Sequence, residues 1–385
     1  MGHKKESTMS ATNFAALGPD QKKVWSRDVW HQAREKMFIT KFMGTGANSM
    51  IQRITSLTKT EKGDEAIVTL VPDLIGDGIT GDKVLTGHEA SLTAHQEKLK
   101  VDMLRNAIKN TGKLNDQMTV VNFRTEVKDN LSYWLSDRMD QMAFLTLAGL
   151  SFAQNNDGSA RASQGAAASE SNLSDLEFNY ASAATSERHL RVVSDGTLET
   201  GDTSVMVAAD KIGYKHIVRL CATAKTRYLR GIRGNGGSEV FHLFLHPMAL
   251  ATLKLDADFI ANARHAGVRG DSNTLFAGGD SYIVDGLYIH EFRHVPTTMG
   301  VSTKWGSGTN VEGCTGIMCG AQAMGFIDLD TPEWDERDHF DYGNNYGIAY
   351  GKIFSMKKMQ FKDNKASLNR NVKQDYGVIR IDTAI

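Results

Sequence analysis

The sequence predicts an α+β protein, and three observations carry that reading. Between Asn115 and Phe152 apolar residues recur at three- and four-residue steps for about thirty residues, the signature of one long amphipathic helix. Before it, two runs of alternating residues read as extended arms; after it, helical and extended segments are mixed, and the last segments are extended again. The 385 residues, 41% of them hydrophobic and including 16 Phe, 5 Trp and 10 Tyr, are enough to bury a sizeable core in two or three domains or one elaborated domain.

Taken in order, residues 1–52 read as a polar arm followed by an amphipathic helix. The arm ends at Gly18-Pro19, Asp20 can cap the helix, and Val24, Trp25, Val29, Ala33 and Met37 share one face. Residues 53–112 read as a long hairpin. Its arms are Glu65–Val71 and Glu89–Met103, joined by a glycine-rich tip over 72–87. A two-stranded ribbon is marginal alone in water, so this hairpin is expected to be covered by something else. Residues 113–152 hold the long helix, with Val120, Phe123, Val127, Leu131, Trp134, Leu135, Met139, Met142 and Leu145 along its apolar face. At 1.5 Å per residue it is a strut of roughly 45 Å.

Residues 153–203 are rich in Ala, Ser, Asn and Gly with little periodicity, and read as a surface insertion or crossover. Residues 204–326 read as a compact α+β region. In it, Ala208–Tyr228 is helical, Glu239–Leu245 is a buried strand, Pro247 opens a further helix, and Tyr282–Val295 and Gly316–Phe326 are extended. Residues 327–385 begin with an acidic loop, Asp328–Asp341, and close with the extended segments Tyr346–Phe361 and Tyr376–Ile381.

Lys plus Arg number 44 against 45 Asp plus Glu, so the net charge is -1 and no summed field draws the chain to nucleic acid or an anionic membrane. Cys221, Cys314 and Cys319 are odd in number and contain no Cys-x-x-Cys pair, which argues against a disulfide framework or a zinc ribbon and for a reducing, cytoplasm-like compartment. The apolar runs fall well short of the roughly 18 residues that span a bilayer.

The sharpest chemical motif is His290-Glu-Phe-Arg-His294, which has the spacing of two zinc-ligating histidines and a base glutamate, with Glu312 downstream as a third ligand. That chemistry requires a helix, where residues four apart share a face; the flanking β-formers and Pro296 predict a strand, in which the two histidines stand about 13 Å apart. Gly44-Thr-Gly46, Gly231–Gly237 and Trp305–Gly308 lack the Walker and dinucleotide spacings and read as loops, and Ser355-Met-Lys-Lys358 has no companion motif. The acidic stretch lacks the glycine and terminal glutamate of a calcium loop. Arg227, Arg230 and Arg233 near Tyr228 read as solvation of a helix end. No catalytic, cofactor-binding or metal-ligating residue is assigned, and no enzyme activity is expected.

The order of arm, long hairpin, strut helix, compact α+β region and returning strands resembles the major capsid proteins of tailed bacteriophages, with the Hong Kong 97-type fold. Val29-Trp30 through Met37-Phe38, Ser49-Met-Ile-Gln-Arg, Thr58-Lys-Thr-Glu-Lys-Gly-Asp-Glu-Ala, Gly320-Ala-Gln-Ala323, Asp341-Tyr-Gly-Asn-Asn-Tyr-Gly347 and Asp375-Tyr-Gly-Val-Ile379 are similar to the branch typified by N4-like short-tailed phages. The resemblance implies an N-arm, an extended loop, a spine helix in a peripheral domain, and an axial domain. It further implies self-assembly in hexamers and pentamers into an icosahedral shell around double-stranded DNA without sequence specificity, in the virion and, during assembly, in the host cytoplasm. Portal and scaffolding or decoration proteins are the implied partners, with no membrane and no cofactor. In that resemblance the hairpin lies across the adjacent subunit. The candidate inter-subunit contacts are therefore Ile67, Thr69 and Val71, with Leu99 and Val101 opposite, and Gly76, Asp77, Gly78, Gly81 and Gly87 at the tip. The alternatives are a zinc-dependent hydrolase built on His290, Glu291 and His294, and a non-viral compartment shell of the same fold.

Overall fold

The computed structural model describes residues 29–54, 63, 65–71, 77–89, 94–114, 123–163, 172–234, 237–266, 281–329, 333–362 and 373–385. In chain order its strands are β1 (Met43–Gly44), β2 (Ile51–Ile54), β3 (Glu65–Leu70), β4 (His95–Lys100), β5 (Asp102–Lys109), β6 (His189–Val192), β7 (Leu198–Thr200), β8 (Ile232–Arg233), β9 (Glu239–Leu245), β10 (Ser281–Val284), β11 (Leu287–Glu291), β12 (Gly313–Cys319), β13 (Met324–Asp328), β14 (Glu333–Phe340), β15 (Asn345–Lys358), β16 (Gln360–Lys362), β17 (Lys373–Asp375) and β18 (Val378–Ala384). The helices are α1 (residues 29–36), α2 (Phe123–Ala148), α3 (Tyr214–Thr226), α4 (Pro247–Leu255) and α5 (Ala257–Ala266). The chain divides into two units. One is drawn from Met1–Met37, Met103–Asp137 and Leu329–Ile353, the other from Phe38–Asp102, Arg138–Asp328 and Phe354–Ile385.

In the first unit, α1 buries Val29, Trp30 and Ala33, and the N-terminal half of α2 buries Val127, Leu131 and Leu135. Their four-residue spacing makes a single apolar stripe on each helix. The N-terminal part of β15 pairs antiparallel with β14, with Glu333 opposite Gly351 and Trp334 opposite Tyr350, while β5 also pairs with β15. The Lys352 ammonium is buried 3.4 Å from the Trp30 ring centroid, where the ring's negative face receives it.

In the second unit the core is an eight-stranded mixed sheet in the order β10-β11-β9-β12-β18-β6-β7, with β8 added on β9. Every residue of β12 is buried. A strand covered on both faces has no solvent side to alternate with, and its one hydroxyl, on Thr315, donates to Asp382 Oδ1 at 3.1 Å. Helix α3 buries Ile217, Leu220, Cys221 and Ala224. Pro247 stands at the first position of α4, where its missing N–H is no loss, and the His246 ring nitrogen Nδ1 accepts from the Met248 N–H at 3.3 Å. A second ladder places β13 between β2, parallel, and the C-terminal part of β15, antiparallel.

Helix α2 ends at Gly149, whose φ of 75° lies in the left-handed region, with Leu150 N–H donating to Leu145 C=O at 2.9 Å. A Cβ at this glycine would lie 2.0 Å from the Ser182 carbonyl oxygen, so the cap admits no other residue without movement. The start of the strut, Val120 included, lies outside the described residues, as do residues 1–28 with Val24 and Trp25.

Three expectations about local structure are corrected. The acidic segment is not a loop: Glu333–Phe340 is strand β14, held by its antiparallel partner β15. Its alternation supplies the reason, since Trp334 is buried while Glu333 and Asp335 face solvent. The helix expected from Ala208 begins at Tyr214, because Lys211 bridges to Ala384 and Ile212 N–H donates to Thr383 Oγ1, so the segment before it is tied to β18. The segment 153–203, expected as a surface insertion or crossover without regular structure, holds two strands: β6 pairs parallel with β18, and β7 pairs antiparallel with β6.

Candidate functional site

The hairpin is an antiparallel ribbon of β3 and β4 whose register pairs Glu65 with Lys100, Ala66 with Leu99, Ile67 with Lys98, and Thr69 with Gln96. Residues directly opposite one another share a face, so the register sorts the side chains into two surfaces. The inner face carries Ala66, Glu97 and Leu99, all buried; the outer face carries Ile67, Thr69, Gln96 and Lys98, all exposed.

This register corrects one part of the sequence reading. Leu99 does not lie across from Ile67 but across from Ala66, so it faces the other way and is 0% exposed within its own subunit. It packs beside Gly325 of β13, at whose Cβ position Leu99 Cδ2, Ile54 Cδ1 and Met359 Cε converge. The cover expected from the adjacent subunit is thus supplied, for the inner face, by the chain's own β13 and its neighbours. That face is pinned electrostatically too: the buried Glu97 carboxylate accepts from Lys357 Nζ at 2.8 Å and pairs with Lys373. Lys357 Nζ also donates to the Lys98 carbonyl at 2.8 Å.

The remaining expected contacts are exposed or partly so. Ile67 and Val71 are each 51% exposed, Thr69 is exposed, and Val101, between β4 and β5, is half-buried. At the tip, Asp77, Gly78, Gly81 and Gly87 are all exposed. The three glycines have φ of 73°, 67° and 90°, a backbone only glycine adopts without strain, and a Cβ at any of them would project into open space. Gly76 lies outside the described residues. The sequence reading missed Val84 and Leu85, which are 72% and 58% exposed in the same tip. The signal was available, as an adjacent apolar pair inside a glycine-rich turn.

The histidine motif has other contacts. His290 lies on β11, and His294 follows in a turn where its Nε2 accepts from Arg293 Nε. His290 Nε2 stands 2.9 Å from Nδ1 of His242 on β9, the two rings stacked at 5.1 Å, with Phe42 and Phe244 packed against them. Burial pushes His242 down to about 4; burial, then the neighbouring His242 and Lys41, do the same to His290. Glu291 pairs with Lys254 at 3.4 Å, and Glu312 with Lys304. Among the described residues no group of three or more His, Cys, Asp or Glu is placed to hold a metal, and no helix is long and apolar enough to cross a membrane.

The model of the phage capsid protein family matches residues 13–385. The chain belongs to that family. A major capsid protein of Pseudomonas phage KPP25 is 46% identical over 379 residues, 97% of each chain. Among solved structures, the capsid of Ralstonia phage GP4 superposes with a TM-score of 0.69 at 22% identity, covering 97% of this chain and 98% of that one. The Cyanophage Pam1 capsid superposes with a TM-score of 0.70 at 16% identity, covering 100% and 96%. At those identities the superpositions speak for the fold, which is of the Hong Kong 97 type, and the sequence match carries the family. A capsid chain of this kind functions through its surface, so the ribbon's two faces are its relevant geometry: one docked in its own subunit, one presented outward.

Proposed function

We infer that the chain is the major capsid protein of a phage and builds the icosahedral shell of the virion. The observation that carries this is the 46% identity to a phage major capsid protein across 97% of both chains. The physical reading agrees: a net charge of -1 leaves the subunit without a strong field of its own, so it can enclose nucleic acid without gripping the phosphates. In this reading the shell is built of hexamers and pentamers, holds double-stranded DNA without reading its sequence, and meets portal and scaffolding or decoration proteins. Assembly takes place in the host cytoplasm, and the chain works without catalysis. The eight-stranded sheet is the axial domain, and the first unit, with the N-terminal half of α2, belongs to the peripheral domain. The outer face of the ribbon, with Ile67, Thr69 and Val71, and the tip with Asp77, Gly78, Gly81 and Gly87 contact the adjacent subunit.

Electron microscopy of the protein, expressed alone and with the scaffolding protein of the same phage, tests the reading. Closed shells are the expected outcome. A chain that forms no particle under either condition overturns it. The nucleic acid content of particles from infected cells separates a virion from a compartment that packages protein.

A further inference from the structure

Aspartate followed by glycine occurs four times in the chain, at Asp77-Gly78, Asp157-Gly158, Asp195-Gly196 and Asp285-Gly286. Such a pair carries a chemistry of its own. The glycine amide nitrogen can attack the aspartate side-chain carbonyl carbon, because no side chain on the glycine obstructs the approach, provided that the backbone between them is free to turn. The carboxyl group must also be free of partners that fix it elsewhere. The fold decides which of the four pairs meets both conditions.

Three pairs are held. Asp157 Oδ1 accepts from the Ser159 N–H at 2.9 Å and from its hydroxyl at 2.6 Å, while Gly158 N–H donates to the Asn155 carbonyl at 3.0 Å. Asp195 Oδ1 accepts from the Thr197 hydroxyl and from its N–H, the latter at 2.7 Å, while Gly196 N–H donates to the Val193 carbonyl at 3.0 Å. In both pairs the attacking nitrogen and its target are tied to different partners. The Thr197 hydroxyl and N–H also hold the Asp195 carboxyl below its ordinary range, in the ionised form that resists attack. Asp285 and Gly286, at φ of 49° and 79°, are the two turn residues between β10 and β11; Val284 paired with Leu287 closes that turn, and the Gly286 carbonyl accepts from Phe241 N–H at 3.1 Å.

Asp77-Gly78 is held by none of these means. Both residues are exposed and lie outside the β3–β4 register. No hydrogen bond or ion pair among the described residues engages the Asp77 carboxylate or the Gly78 N–H, and nothing stands within 4 Å of the Cβ position at Gly78. An exposed, glycine-rich loop tip is where a chain turns most freely.

We propose that Asp77 is a site of isoaspartate formation in the folded subunit, and that the fold protects the other three pairs. The Gly78 nitrogen bonds to Asp77 Cγ, the C–OH bond of the protonated carboxyl breaks, and the hydroxyl leaves with the nitrogen's proton as water. The product is a five-membered succinimide. Water then adds at the main-chain carbonyl of Asp77 and opens the ring, so that one water is lost and one regained, and the chain now runs through the former side chain. The main chain gains one methylene at the tip, and the free carboxylate moves to the α-carbon. The tip takes no part in strand pairing, so the subunit's own stability is unchanged. The inference goes beyond the shell reading and concerns the unassembled subunit.

The test incubates the purified full-length subunit at neutral pH, folded and in urea, digests samples over time, and reads isoaspartate at each position from fragment masses that distinguish it from aspartate. In the folded subunit Asp77 is expected to convert at least tenfold faster than Asp157, Asp195 or Asp285, a protection equivalent to about 1.4 kcal/mol of local opening. In urea, where the hydrogen bonds that hold the three pairs are gone, the four rates are expected to converge. Comparable rates at all four positions of the folded subunit, a faster rate at one of the other three, or no conversion at Asp77 overturns the proposal. A difference that survives in urea does so too, since the local sequence and not the fold would then set it. The chain's one Asn-Gly pair, Asn235-Gly236, lies outside the described residues, and its deamidation is told apart by its peptide and its gain in mass. Asp77→Glu, whose longer side chain would have to close a six-membered ring, is expected to abolish conversion at that position with the melting midpoint unchanged; a lowered midpoint would show that Asp77 is held by the fold after all.

Discussion

His242 Nδ1 and His290 Nε2 lie 2.9 Å apart between stacked rings, in a wall of phenylalanines that includes Phe38, Phe42 and Phe244. A hydrogen bond between two ring nitrogens needs one N–H and one lone pair, so the arrangement excludes the doubly protonated pair. Both groups are held down to about 4, below their ordinary value of 6.5. The unfolded chain therefore binds more protons than the folded one between those limits. The pair's contribution to stability is complete above about pH 6.5 and is lost as pH falls toward about 4. Melting midpoints of the free subunit measured from pH 7 to pH 4 should fall over that window. The fall should be shallower in His242→Phe, and an identical profile in both proteins would contradict the assignment.

The ribbon's two faces predict opposite responses to truncation. Leu99→Ala opens a cavity beside Gly325 and Met359 and should destabilise the free subunit by about 2–4 kcal/mol. Ile67→Ala removes a half-exposed side chain and should change the same measurement by less than about 0.5 kcal/mol while lowering particle yield. Denaturant unfolding of both variants decides; equal effects would mean that the faces are assigned wrongly.

Leu135 is 0% exposed on the apolar stripe of α2. Leu135→Asp places an unpaired carboxylate there, a burden of several kcal/mol against a total stability of about 5–15. No soluble, cooperatively melting protein is expected. A normal yield with a sharp transition would show that the stripe is not buried in solution.

Deleting the tip from Gly76 to Gly87 removes residues outside the β3–β4 register, and of the described ones all but the half-buried Ile79 are exposed. The subunit's melting should be spared, within about a degree or two for changes under 0.5 kcal/mol, while closed shells become weak or absent. Thermal unfolding and particle counts for deletion and parent check this. Shells of full stability would remove the tip from the assembly interface.

Local patterns in the sequence were sufficient wherever one element's own residues carry the information. The four-residue spacing from Val127 to Met139 marks the strut, Pro247 marks the first turn of α4, and the apolar residues Phe241, Leu243, Phe244 and Leu245 mark the buried strand β9. Motif order along the chain carried the family resemblance, since order survives where individual words are unspecific. The strand context of His290 was equally legible from its β-rich flanks.

What tertiary structure alone decided was register and partnership. Whether Leu99 faces Ala66 or Ile67 turns on a shift of one residue, and with a side-chain period of two that shift exchanges the faces; nothing local to either strand fixes it. The acidic run at Glu333–Phe340 became a strand because β15, a distinct segment beyond the turn, supplies its hydrogen bonds. His290 found His242 because β9 and β11 pair in parallel, a register that sets His290 opposite Phe244 and Tyr288 opposite His242, so that the two histidines stand diagonally on one face. Each is a long-range pairing, and the sequence names the residues of such pairs without saying which will meet.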